Sequence, residues 1–107
     1  MGIEKDKLLK TEYSDSFDNE RRVRMVVSYY KYGPARDNYN SGRCDAVKSA
    51  ELCLDAFKKD GNTEHLVDAA NYLMLRYMYP YPGESFRPTD SDGSVGIVGD
   101  PVNMGKL

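Results

Sequence analysis

The sequence is short of the residues that most chemistry needs. It has one histidine, His65, so no multi-histidine metal site can be built. It has two cysteines, Cys44 and Cys53, nine positions apart. On one helix that spacing separates them by roughly 13 Å, too far for a disulfide, and free thiols fit a reducing, cytoplasmic setting. No apolar run nears the roughly 20 residues that span a bilayer, and "MGIEKDKLLK" has no signal-peptide core. Its Met-Gly start fails as a myristoylation signal because Asp6 stands where Ser or Thr is needed. Excess positive charge is also missing. The net charge is -2, which argues against nucleic acid as a partner. No run alternates in the way strands require, and no internal repeat is visible.

What is present is helical. The chain has 107 residues, enough for one domain with a modest core, so a homo-oligomer is expected. Residues 1–15 are polar, and "IEKDKLL" suits one or two loosely held turns. A first main helix is predicted over 16–32, capped by Ser14, Asp15 or Ser16 and stopped by Gly33-Pro34. Val23, Val26, Val27 and Tyr30 recur along it at helical spacing. "PARDNYNSG" reads as a polar connector. A second helix is predicted over 43–60, with Val47, Ala50, Leu54 and Phe57 as its apolar stripe. A third runs over 63–79, capped by Asn62 or Thr63 and ended by Pro80 and Pro82.

From Pro80 onward the chain holds four of its five prolines and five of its nine glycines, which rules out a long regular element. The fold class is therefore all-α: a small bundle of three main helices over 16–79. A Pro/Gly-rich tail over 80–107 is expected to pack partly on the body through Phe86, Val95, Ile97 and Val98. Within it "TDSDGS" reads as a turn, a poor match to a calcium loop, whose acids could clamp the tail to an arginine.

The third helix carries an oddity. Glu64, Asp68, Asn71 and Leu75 fall within about 60° on a helical wheel, while Leu66, Ala69, Ala70, Leu73, Met74 and Tyr77 form the broader apolar face. Glu51 and Asp55 lie one turn apart on the second helix. If the two helices pair across "KKDGNT", four carboxylates could converge, raise one another's pKa and call for a divalent cation such as magnesium. A plainer explanation stands beside that one. Glu64 suits the positive end of a helix dipole, Asp68 pairs with an Arg or Lys from elsewhere, and Glu51 and Asp55 are solvated beside Lys48 and Lys59. Asn71, between Ala70 and Leu73, is expected to bury its amide and so to need partners.

"EHLVDAANYLM" resembles the last acidic motif of the MazG-like all-α nucleotide pyrophosphohydrolases. Glu64, Asp68, Ala70, Asn71 and Tyr72 fill the motif's places. The resemblance covers about a dozen residues. It implies a compact helical oligomer that uses magnesium to cleave nucleoside triphosphates to monophosphate and pyrophosphate. Glu51, Asp55, Glu64 and Asp68 would be the catalytic metal ligands, and Asn71 would orient a carboxylate or touch substrate. The chain has no Glu-x-x-Glu, and Glu51 with Asp55 is the nearest substitute. A nucleotide-binding relative that does not cleave fits the same residues.

Other residues suggest phosphate and base recognition. Arg21, Arg22, Arg24 and Lys31 lie on the first helix, while Arg36 and Arg43 flank a connector holding Asn38 and Tyr39. Guanidinium groups bind phosphate in a forked geometry, and tyrosine stacks on a base. A solvated basic face explains the same cations. The alternative function is a non-catalytic interaction protein, of the style carried by phages and mobile elements. Its tyrosines (Tyr29, Tyr30, Tyr32, Tyr72, Tyr77, Tyr79, Tyr81) and tail would dock on a larger protein.

Overall fold

The structure, a computed structural model, describes residues 4–89 and 95–100. Among them five helices and no strand occur: α1 (Lys5–Glu12), α2 (Asp15–Tyr32), α3 (Ala35–Tyr39), α4 (Ala46–Asp60) and α5 (Glu64–Met78). The all-α expectation holds, and α2 and α5 match their predicted spans within a residue. The connector contains the short helix α3, which its turn formers did not reveal.

Local chemistry sets the ends. The Ser14 hydroxyl accepts from Phe17 N at 3.0 Å and starts α2. Asp45 accepts from Lys48 N at 3.1 Å and starts α4 three residues later than expected, which leaves Cys44 outside the helix. Both thiols are free. Gly61, at φ 69°, takes the left-handed conformation that ends α4, its N–H donating to Phe57 O at 2.8 Å. Asn62 then accepts from Glu64 N at 3.0 Å and opens α5. Asp60 closes the turn by accepting from Asn62 N and pairing with His65. Those two partners, the backbone N–H first, hold the Asp60 carboxyl below its ordinary value.

α5 is the central element, in contact with α4, α2 and α3. The α4–α5 hairpin closes on small side chains: Ala46, Ala50 and Ala69 are buried, with Cys53 and Phe57 half-buried beside them. On the wheel this turns α4 by about 40° from the predicted stripe, so Val47 and Leu54 are exposed instead. Close approach of two backbones over alanines outweighs the larger apolar residues.

The greater departure is on α2. Val23, Val26, Val27 and Tyr30, which recur at helical spacing, face away from α5 and are exposed. The side toward α5 is the polar one, bearing Arg21, Arg24, Met25 and Ser28. α5 mirrors this. Its acidic and amide stripe faces α2, while Leu73 and Tyr77 are exposed. Among the described residues no large side chain is fully buried.

The tail does not anchor as expected either. Phe86, Val95, Ile97 and Val98 are all exposed. Arg76 is the tether: its guanidinium pairs with Glu84 and lies 3.5 Å from the centroid of the Tyr81 ring. Glu84 also accepts from Tyr81 N at 2.9 Å. The turn assigned to "TDSDGS" lies, after Thr89, outside the described residues.

Candidate functional site

The stripe on α5 has basic partners. Arg24 reaches across from α2, its Nε donating to Asp68 Oδ1 at 2.5 Å and its Nη2 to Asp68 Oδ2 at 3.2 Å. The same Nη2 stands 2.6 Å from Glu64 Oε2. One guanidinium therefore serves two carboxylates a turn apart. The fork geometry suits arginine in a way a lysine could not match. Its pKa is raised further, first by the hydrogen bond to Asp68.

Asn71 completes the seam. It is 6% exposed. Its Oδ1 accepts from Arg21 Nε at 3.1 Å, and its Nδ2 donates to the Arg21 carbonyl at 3.1 Å. The amide that looked costly to bury is thus satisfied in both directions, as a buried amide must be. Arg21 is held in turn by Asp18 at 3.4 Å.

Glu51 and Asp55 do not join this group. They lie on the exposed side of α4, opposite the Ala46–Ala50 face that meets α5. The rotation of α4 toward its alanines puts them there. The four acids do not form one cluster. Among the described residues no group of three or more His, Cys, Asp or Glu side chains is placed to hold a metal ion. As arranged, the two α5 acids fit an arginine rather than a four-carboxylate magnesium site, and no hydrolytic step is derived through one.

Beside the seam runs a cleft between α2, α3 and α5. Two adjoining depressions, of about 210 and about 470 Å³, share Met25, Ser28, Tyr32, Tyr39, Tyr72 and Leu75 as walls. The smaller is bounded also by Arg24, Lys31, Asp68 and Asn71, the larger by Asn38, Cys44 and Ser49. α3 is what brings Asn38 and Tyr39 here. Burial pushes the Tyr39 phenol up to about 12 and raises Tyr72 as well, so both rings are neutral at physiological pH. Burial also raises the Cys53 thiol, with Asp68 adding to the effect. Lys31 makes no ion pair with another described residue, whereas Arg24 is already occupied.

Of the residues marked in the sequence, the cleft gathers Asp68, Asn71, Asn38 and Tyr39, from two stretches read independently. Arg36 and Arg43 are exposed and outside the lining, since α3 turns its other side inward. Tyr32 and Tyr72 were expected on a protein-docking surface rather than in a ligand cleft, and Ser28 was not singled out at all. The signal that marks them is simple: Ser28 and Tyr32 lie one turn apart on the side of α2 opposite the valines, a side that periodicity assigns to solvent.

No family model, no curated protein and no solved structure matches the chain in comparisons with known proteins.

Proposed function

We propose that the chain is a nucleotide-binding protein of MazG-like kind, with the cleft between α2, α3 and α5 as its ligand site. One observation carries the reading: Asp68 and Asn71 of the α5 stripe line the smaller depression together with Tyr39 of the connector, and Asn38 lines the larger one that adjoins it. The chemistry suits a flat ring joined to an anion. Tyr32, Tyr39 and Tyr72 offer faces for a base, at about 1–3 kcal/mol for each stacked base. Lys31 offers an uncommitted cation for phosphate. Asn71 shapes the wall, because its amide is committed to Arg21.

Calorimetric titration with nucleoside mono- and triphosphates tests this, with and without magnesium. Saturable binding is expected. Tyr39→Ala should weaken it about 10-fold and Lys31→Ala by a few-fold, while Arg36→Ala leaves it unchanged. If no nucleotide gives heat or raises the melting temperature, the reading is retired. The resemblance extends the proposal to magnesium-dependent cleavage, in which an ion would have to compete with Arg24 for Glu64 and Asp68. Pyrophosphate release, absent or present in the same samples, separates binder from hydrolase.

The second reading is a non-catalytic interaction protein, favoured by the exposure of Tyr29, Tyr30, Tyr32, Tyr77 and Phe86. On that reading, deletion of residues 83–107 abolishes capture of a stoichiometric protein partner and spares the helical fold.

A further inference from the structure

The outer side of α2 carries an apolar stripe that the other described elements leave exposed. Val23, Val26, Val27 and Tyr30 follow i, i+3, i+4, i+7 spacing, the pattern by which one helix packs on another. Their exposures are 49%, 57%, 49% and 82%. The stripe is diametrically opposite the residues that meet α5, so no rotation of α2 could bury both sides within one chain. The tail cannot be the cover along its first ten residues, because Glu84 and Tyr81 fasten it at Arg76 on α5.

We propose that this face of α2 is a self-association surface, on which a second copy of the chain docks its own α2 antiparallel about a two-fold axis. The proposal is independent of the cleft's ligand except at Lys31, which also borders the smaller depression. Its first support is charge. Glu20 and Lys31 sit about 20° apart on one flank of the stripe, and Arg22 and Tyr29 are similarly placed on the other. Both pairs are centred between Met25 and Val26. A single two-fold there sets each Glu20 against the second copy's Lys31 and each Arg22 against the second copy's Tyr29. The first contact is an ion pair and the second a cation–π contact. None of Glu20, Arg22 or Lys31 is in an ion pair with another described residue. The helix dipoles then also oppose one another favourably.

The second support is exposure: Tyr29, beside the stripe, is itself 56% exposed, so two neighbouring aromatic rings are offered to the second copy. A face that meets an identical face needs this self-complementarity, residue i against j and j against i. A surface meant for an unrelated protein has no reason to place both flanking pairs on one centre.

Sedimentation velocity on the full chain at micromolar concentrations, with circular dichroism on each variant, tests the proposal. The wild type should sediment as a dimer. Val26→Glu should weaken association about 100-fold or more while helicity is kept, because Val26 is exposed in the single chain. Glu20→Lys and Lys31→Glu should each weaken it about 10-fold, and the two together in one chain should restore it to within about 3-fold of wild type. Leu73→Glu, on the exposed side of α5, should leave it intact. A monomeric wild type overturns the proposal. So does a dimer that survives Val26→Glu or that dissolves on Leu73→Glu. Failure of the charge swap to rescue overturns the antiparallel geometry.

Discussion

The two seams that α5 makes are built on opposite principles. Against α4 it closes with Ala46, Ala50 and Ala69, and the backbones meet over side chains with nothing to satisfy. Against α2 it closes with Arg21, Arg24, Glu64, Asp68 and Asn71, nearly all of whose polar atoms have partners across the gap. The first seam is held by contact and by the short turn at Gly61. The second is held by paired charge and a reciprocated amide. It can be so polar because the apolar side of α2 is directed elsewhere. Polar pairs fix which residue meets which, whereas apolar contact chiefly rewards proximity.

The sharpest break in the comparison is a charge placed in each seam. Ala50→Glu buries an uncompensated carboxylate in the alanine seam and should cost more than about 3 kcal/mol, measured as loss of the urea transition midpoint. Next in size, Asn71→Ala leaves Arg21 Nε without its partner across the seam and removes the second bond to the Arg21 carbonyl. It should cost about 1–3 kcal/mol in the same assay. A cost near zero would mean that the reciprocal pair contributes little and that Leu75 and Met25 hold α2 instead.

These two positions also show what the sequence could and could not disclose. Ser14, Asp45, Gly61 and Pro80 mark helix ends by local chemistry, and the helices start or stop within a few residues of them. Local rules survive because caps and breakers act on their own turn. The burial of Asn71 was legible from its neighbours Ala70 and Leu73. The pairing of Asp68 with a base was one of two open readings. The orientation of whole helices was not legible. Periodicity says that a helix has an apolar side and does not say whether that side meets its own chain or another. Val23, Val26, Val27 and Tyr30 form such a side, and it does not meet α5. Likewise, Val47 and Leu54 outweigh alanines on any hydrophobic scale, yet small residues win where close approach decides. That 40° rotation carries Glu51 and Asp55 out of reach of Glu64 and Asp68.

A smaller effect is expected at the cleft. The Tyr39 phenol is raised by burial from 10.0 to about 12. Its contribution to stability is therefore complete below pH 10 and fades as the pH climbs toward 12. Tyrosinate absorbance, wild type minus Tyr39→Phe, should show one residue ionising well after the exposed tyrosines. Ionisation of Tyr39 together with the rest would mean that the cleft is open to water. Smallest is the tail tether. Arg76, and then Tyr81 N–H, hold the Glu84 carboxyl below its ordinary value. The tether is thus present above the usual carboxylate range and is lost as the pH falls through the depressed value. Glu84→Gln should leave the urea midpoint almost unchanged and speed proteolysis near Phe86–Arg87, a change confined to the tail.

The central claim is that the acids of α5 exist to receive Arg24. The direct measurement is a double-mutant cycle on Arg24→Met and Asp68→Asn, each variant unfolded in urea at low and at high salt. A coupling energy of about 0.5–1 kcal/mol is predicted for so exposed a pair, shrinking as salt is raised. Additive single effects, with no coupling at either salt, would contradict the account and return Asp68 to the pool of acids in need of another partner.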